Sequence, residues 1–465
     1  MHFRKNGKFA WTVAGALMVA ALLWPALWNG FPIVFYDTGG YLARPFESTL
    51  GMGRSAFYGV FLWLGIKSSF WPNIIVQAAL IAWLVVLMLR LNGLGGRPWL
   101  ATAIVIGLCA MTGVSWYAAQ LMPDILVPAL VLAFAMLGLY ADGLRRWEAA
   151  ILIVVIAAAI ASHNSILALA VGILVLLVLQ HLLLAWSSLS RPSLVVPALA
   201  CAGGILLAAL SNFVVTKQFA LTPGGYNFVF GRLVQSGIVA HYLAERCPDP
   251  TIKLCAYRSN LPATGDDWLW DANSPIQKLG GFEKFEPEAR RIVIESMALY
   301  PAMNLKAAVT ATITQFSQFA TGDGTTPWNW YTQWIFEQYS PGALKQYLAS
   351  RQARAPFDFS WANLIHIPAQ ALAIALLPII IWFRRDRRIA SLAAYLFFAL
   401  LINAVICGAL SNPHDRYQSR LAWLAPLVVA SAALGRRRHP AIAFSVRVTK
   451  SKRQATAVAY RARHS

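Results

Sequence analysis

"WPNIIVQAALIAWLVVLMLR", residues 71–90, has one polar side chain, Gln77, between Ile74 and Leu89, and it stops at Arg90. A helix of about 20 such residues, rising about 1.5 Å each, crosses the ~30 Å hydrocarbon core of a bilayer. The stretch shows no alternation of apolar and polar positions that would mark a half-buried strand. It therefore reads as a membrane-crossing helix. The same pattern recurs on both sides of it, at 9–29, 98–113, 124–140, 148–162, 164–184, 193–215, 361–383, 389–410 and 421–435, which predicts ten spans in all. Of the 465 residues, 58% are hydrophobic and only 12% charged, too few charges to clothe a water-soluble fold of this size. The fold class expected is an all-α polytopic membrane protein.

The formal charge of +20 suggests at first a polyanionic partner. Its distribution excludes one. When the connecting segments are assigned alternately to two sides, one side receives MHFRKNGK, RLNGLGGRP, ADGLRRWE, the turn at Arg191, RRDRR and the chain from Gly435. These hold 21 of the 39 Lys and Arg but three of the 19 acids (Asp142, Glu148 and Asp386), leaving 18 bases and 16 acids elsewhere. This is the positive-inside pattern, so both termini are expected in the cytoplasm, and no nucleic-acid partner is needed. The first apolar run is too long for a signal-peptide core, and "WPALWNGFP" offers no small-x-small cleavage site, so it reads as an uncleaved helix.

Four parts follow: an N-terminal membrane module, 1–215; an external region, 216–360; a C-terminal membrane module, 361–435; and a basic cytoplasmic tail, 436–465, suited to anionic lipid. The external region holds Trp268, Trp270, Trp328, Trp330 and Trp334, side chains that suit a headgroup zone or the face of a sugar ring. Two helices are expected within it, 286–300 and 301–320. The second is read as interfacial or packed within the loop, because a span there would invert the charge pattern of everything after it. Residues 53–69, GRSAFYGVFLWLGIKSS, predict a short amphipathic helix on the outer surface. Cys247 and Cys255, eight residues apart in the external region, are expected to form a disulfide, whereas Cys109, Cys201 and Cys407 fall within spans as small apolar residues.

The residues able to do chemistry gather at the outer ends of the spans. In "FPIVFYDTGGYLARP", residues 31–45, Asp37 is a lone carboxylate just beyond the first span; it is either a turn residue or a functional acid. Asp124 opens the fourth span, where it would also favour the helix dipole. His163 occupies the turn of "ASHNSI". The late segment "SNPHDRYQSRLAWLAPLV", residues 411–428, packs His414, Asp415, Arg416, Tyr417 and Arg420 into one outward loop, a ready clamp for an anion. Arg44 and Arg54 are further cations on the first loop. Glu47, Asp266 and Asp267 read as solvated, with Asp266–Asp267 beside Trp268 as a weaker acceptor or metal contact. No P-loop, GxSxG or HExxH pattern is present.

The order of these segments resembles the GT-C superfamily of membrane glycosyltransferases: an outward acid in "FYDTGGYL", a basic-aromatic "GRSAFYGVFL", an acid in "WYAAQLMPDILVPALVL", and a late basic-aromatic loop. The resemblance covers about the first 190 residues and the late loop, and does not extend to 216–360. Where many members carry a second acid beside the first-loop Asp, this chain has Thr38. The resemblance implies sugar transfer from a polyprenyl-phosphate donor to an envelope glycan, lipid or protein, on the outer face of a bacterial inner membrane. It implies Asp37 as the catalytic base, Arg416 and Arg420 on the leaving phosphate, and Asp124 as a second-loop acid that binds a metal or positions substrate; Arg54, His163 and His414 are further candidate substrate or phosphate contacts, and a divalent metal is an optional cofactor. Two other readings stay open at this level: a flippase for lipid-linked glycans, and a multi-span acyltransferase using His163.

Overall fold

The computed structural model describes residues 2–183, 190–327, 329–383 and 386–435, with side chains from Gly7 onward. The tail 436–465, Trp328, Arg384 and Arg385 lie outside the described residues. Within them the chain is helical with no strand, and six helices are long and apolar enough to cross a membrane. This is an all-α membrane protein.

The N-terminal part contains α1 (His2–Asn29), α2 (Thr38–Leu42), α3 (Ala56–Trp63), α4 (Trp71–Leu89), α5 (Pro98–Met111), α6 (Val114–Ala118), α7 (Leu126–Leu139), α8 (Arg146–Ser162), α9 (Asn164–Leu183) and α10 (Val195–Thr216). Helices α1, α4, α9 and α10 are among the six long ones. Pro72 and Pro98 stand in the first turns of α4 and α5, where a missing N–H costs nothing. Helix α7 is buried almost all round and forms the centre of the bundle. Helix α3 buries Ala56, Tyr58, Gly59 and Leu62 against its neighbours.

The region expected as one external unit packs in two ways. Helices α11 (Gly225–Gln235), α12 (Ile238–Arg246), α13 (Gly265–Trp270), α14 (Pro275–Lys278) and α15 (Gly281–Leu299) enclose their own core around Phe230, Tyr242, Trp268, Phe285 and Ile292. Cys247 and Cys255 are disulfide-bonded beside it. Helix α16 (Pro301–Ser317) leaves this core and packs along a later helix. Helices α17 (Trp330–Tyr339), α18 (Pro341–Ala349) and α19 (Arg351–Arg354) return to the membrane module. Ile335, Phe336 and Tyr347 join its core there, packed with Phe31 and Phe70.

The C-terminal part is α20 (Ser360–Phe383), α21 (Arg387–Ala409), α22 (Asp415–Ala422) and α23 (Leu424–Leu434). Helices α20 and α21 complete the six. The other four apolar segments expected to span are helical too, but α5, α7, α8 and α23 are 14, 14, 17 and 11 residues long. Helix α16 lies against α21, where a Cβ on Gly408 would come within 2.5 Å of the Ala311 carbonyl oxygen. Its other side exposes Leu305, Val309 and Ile313, one apolar stripe at a spacing of four.

The segments assigned to one side of the membrane do meet. Arg90 pairs with Glu148 at 2.6 Å and reaches the Gly143 carbonyl, and Arg388 pairs with Asp142.

Candidate functional site

Backbone pairing brings the segments that carry Asp37 and Asp124 together. The Ile33 N–H donates to the Ala119 carbonyl and the Leu121 N–H to the Ile33 carbonyl, both at 2.9 Å. The Thr38 hydroxyl donates to the Leu121 carbonyl at 3.1 Å and accepts from the Phe35 N–H at 3.0 Å. The side-chain amide of Gln352 satisfies both backbone groups of Val34, accepting at 3.0 Å and donating at 2.7 Å. Thr38, beside Asp37, is thus a structural tie between the segment after α1 and the segment before α7.

Asp37 stands at the N-terminus of α2, but its carboxylate does not cap that helix. It pairs with Arg54, whose Nη1 also donates to the Met52 carbonyl at 3.0 Å. Gly39 and Gly40 follow Asp37. Both lie within α2 and neither has a left-handed backbone. They are needed for space. A Cβ on Gly40 would sit 2.7 Å from Arg54 Cδ, and one on Gly39 would sit 2.7 Å from Thr332 Cα. Gly39 donates its N–H to Thr332 Oγ1 at 2.9 Å, which holds α17 over the Asp37 turn.

Arg416 and Arg420 were expected in a loop. They instead lie one turn apart on a helix, α22, with both side chains toward Asp124. Arg420 Nη1 donates to Asp124 Oδ1 at 3.0 Å, and Arg416 Nε lies 3.7 Å from the same oxygen. Asp124 is 2% exposed, Arg420 4% and Arg416 10%, against 26% for Asp37 and 21% for Arg54. The cluster therefore runs from an accessible edge into the interior. Helix α22 is anchored by Asn403, whose amide donates to the Tyr417 carbonyl at 2.8 Å and to Gln418 at 2.7 Å. Arg416 lies over the Phe35 ring, with its Cζ 4.1 Å from the centroid.

His163 closes the cluster from the turn between α8 and α9. Its Nδ1 accepts the Ser165 N–H at 3.0 Å, which leaves the ring proton on Nε2. Burial, and then the charge of Arg420, pushes this imidazole down to about 4, so it is neutral at physiological pH. Burial alone would raise the Asp37 carboxyl, but Arg54 and Arg416 outweigh it and hold the group below its ordinary range.

His414 is the expected site residue that faces elsewhere. Its Nε2 is 3.1 Å from Asp266 and its Nδ1 3.6 Å from Asp323, so it ties α13 to the loop after α16. Burial works against the charged ring, but Asp266 and then Asp323 lift it above the ordinary value. Asp266, expected to be solvated, is thus engaged, and the hydrogen bond from His414 holds it low. Asp267 accepts from Thr264 at 2.7 Å as a local cap. Arg44 and Glu47 pair with each other and close the first loop.

One acid escaped the sequence reading. Asp323 accepts the Arg416 N–H at 3.1 Å and lines a small cleft with Trp116, Tyr117 and Gln120. Its signal was an acid between two glycines, Gly322 and Gly324, both with left-handed backbone. Trp270 lies over Arg54, with its ring centroid 5.6 Å from Cζ.

A divalent metal does not fit these residues. Each acid at the centre already faces guanidinium charge, two groups of it at Asp124, and among the described residues no three His, Cys, Asp or Glu side chains are grouped to hold a cation. The balance favours an anion. Three guanidinium groups face two carboxylates and a neutral imidazole. Arg54 Nε, Arg416 Nη1 and Arg420 Nε are buried without a hydrogen-bond partner among the described residues. Comparison of the chain with protein-family models, with curated proteins and with solved structures returned no match.

Proposed function

We propose that this chain is a GT-C-like glycosyltransferase of a bacterial inner membrane, with ten spans and both termini cytoplasmic, that moves a sugar from a polyprenyl-phosphate donor to an envelope acceptor. The observation that carries this reading is a cluster of three arginines, Arg54, Arg416 and Arg420, each with an N–H that is unpartnered among the described residues, running from the edge pair Arg54–Asp37 to the buried pair Arg420–Asp124. In the reaction the anomeric carbon–oxygen bond to phosphate breaks and a bond to the acceptor oxygen forms. The acceptor proton passes to Asp37, and the electron pair leaves with the phosphate, whose charge grows by one unit. Arginine suits that growing charge because its fork matches phosphate oxygens. A base on one side of the anomeric carbon and a held leaving group on the other give inversion. The acyltransferase alternative needs His163 as a base, yet the Ser165 N–H already uses its one lone pair.

The test is transfer of labelled sugar from a panel of polyprenyl-phosphate donors by purified protein, wild type beside Asp37→Asn. Transfer that collapses in the variant supports the reading. Donor binding without transfer by either form, with acceptor supplied, favours the flippase.

A further inference from the structure

Arg54 is the cation that touches Asp37, and the pair sits at the accessible edge of the cluster, a fifth to a quarter exposed. Asp124 holds Arg416 and Arg420 deeper in. The two deep arginines are fixed by burial and by the anchored helix beneath them. Arg54 is held more lightly: beyond Asp37 it has one hydrogen bond, to Met52, and a Trp270 face. Gly40 opens the space through which its stem passes.

Resting on the reading above, we infer that Arg54 is an exchanging partner: it pairs with Asp37 until a donor binds, then transfers to the donor phosphate and releases Asp37 to act as base. The charges support the exchange. As the acceptor proton reaches Asp37, that carboxylate loses its charge, while the departing phosphate gains one. A single guanidinium between the two is drawn from the first to the second as the reaction proceeds. Before donor binding the same pairing keeps Asp37 from taking a proton, so Arg54 orders the steps, donor first. Arg54 is a positioning residue for Asp37 and a contact for phosphate.

This makes a prediction that a purely structural ion pair does not. Asp37 competes with phosphate for Arg54, so removing the carboxylate's charge should tighten phosphate-lipid binding. The probe is a polyprenyl monophosphate with no sugar attached, titrated into purified protein in detergent. Asp37→Asn should lower Kd about tenfold, equivalent to one ion-pair competition, and Arg54→Gln should raise it by a similar factor. The double substitution should lack the gain seen with Asp37→Asn alone. Asp37→Ala, read alongside, guards against a folding defect in one variant. Binding by wild type that is unchanged or weaker in both Asp37 variants overturns the exchange and leaves the glycosyltransferase reading standing. No binding by any form removes both together.

Discussion

Arg420 and Asp124, 296 residues apart in sequence, meet at 3.0 Å with both side chains almost wholly buried. The pair fixes α22 against the N-terminal end of α7, and Arg416 joins it from one turn away. Removing one member of a buried pair leaves an uncompensated charge at a cost of about 3–5 kcal/mol. Asp124→Ala, which strands two guanidinium groups, should therefore lower the melting temperature in detergent more than Arg420→Gln, which leaves Asp124 with Arg416. Equal melting of the two variants would show that Arg416 does not share the acid.

Gly39 and Gly40 should respond differently to one added methyl. At Gly39 the new Cβ meets the backbone of Thr332, which can yield only if α17 moves; at Gly40 it meets the Arg54 side chain, which can swing away. Overpacking of a rigid neighbour costs about 1–3 kcal/mol. Gly39→Ala should lose stability by that order. Gly40→Ala should melt close to wild type yet lose most transfer, because a displaced Arg54 reaches neither Asp37 nor the donor phosphate. Thermal melts read beside transfer rates separate the two effects.

Chelation should not matter. Arg54, Arg416 and Arg420 supply the positive charge a divalent ion would bring to a leaving phosphate, and the acids that could bind such an ion are already paired. Sugar transfer should proceed at the same rate with excess EDTA as with magnesium or manganese. A loss restored by added metal would mean the acids exchange arginine for a cation when donor binds.

The membrane fold is legible in a stretch such as 71–90 because a helix facing lipid and bundle has no use for charge, so its composition reports its surroundings. Arg416 and Arg420 stand out for the same reason, as charges at the edge of apolar runs. What the sequence does not carry is contact between distant segments. Thr38 looks like turn chemistry, yet its hydroxyl ties to Leu121; Gly40 looks like a bend, yet it makes room for Arg54. Phe230 and Leu233 do not differ in kind from Ile335 and Phe336: each pair is one phenylalanine and one branched aliphatic side chain on a helix. The first pair builds a separate small core and the second joins the membrane module, because the partners of each come from elsewhere in the chain.

His414 should make the attachment of α13 pH-dependent. Its ring nitrogens face Asp266 and Asp323; Asp415 and Arg416 are its neighbours on α22, and Gln315 on α16 holds its backbone. The folded state lifts the imidazole above its ordinary 6.5. The resulting stabilisation is complete below the unfolded value and is lost as pH rises from there through the raised folded value. Asp266 is shifted the other way, so its contribution is present above 3.8 and fades as pH falls through its lowered value. Both partners are charged between these limits, and the contact should be strongest in mildly acid solution. Since each side chain is about a third or more exposed, its worth is at most about 1 kcal/mol. Wild type should lose melting temperature between pH 6.5 and pH 8 relative to His414→Gln, which has no imidazole to titrate. Parallel curves for the two proteins would mean that the ring gains nothing from its two acids.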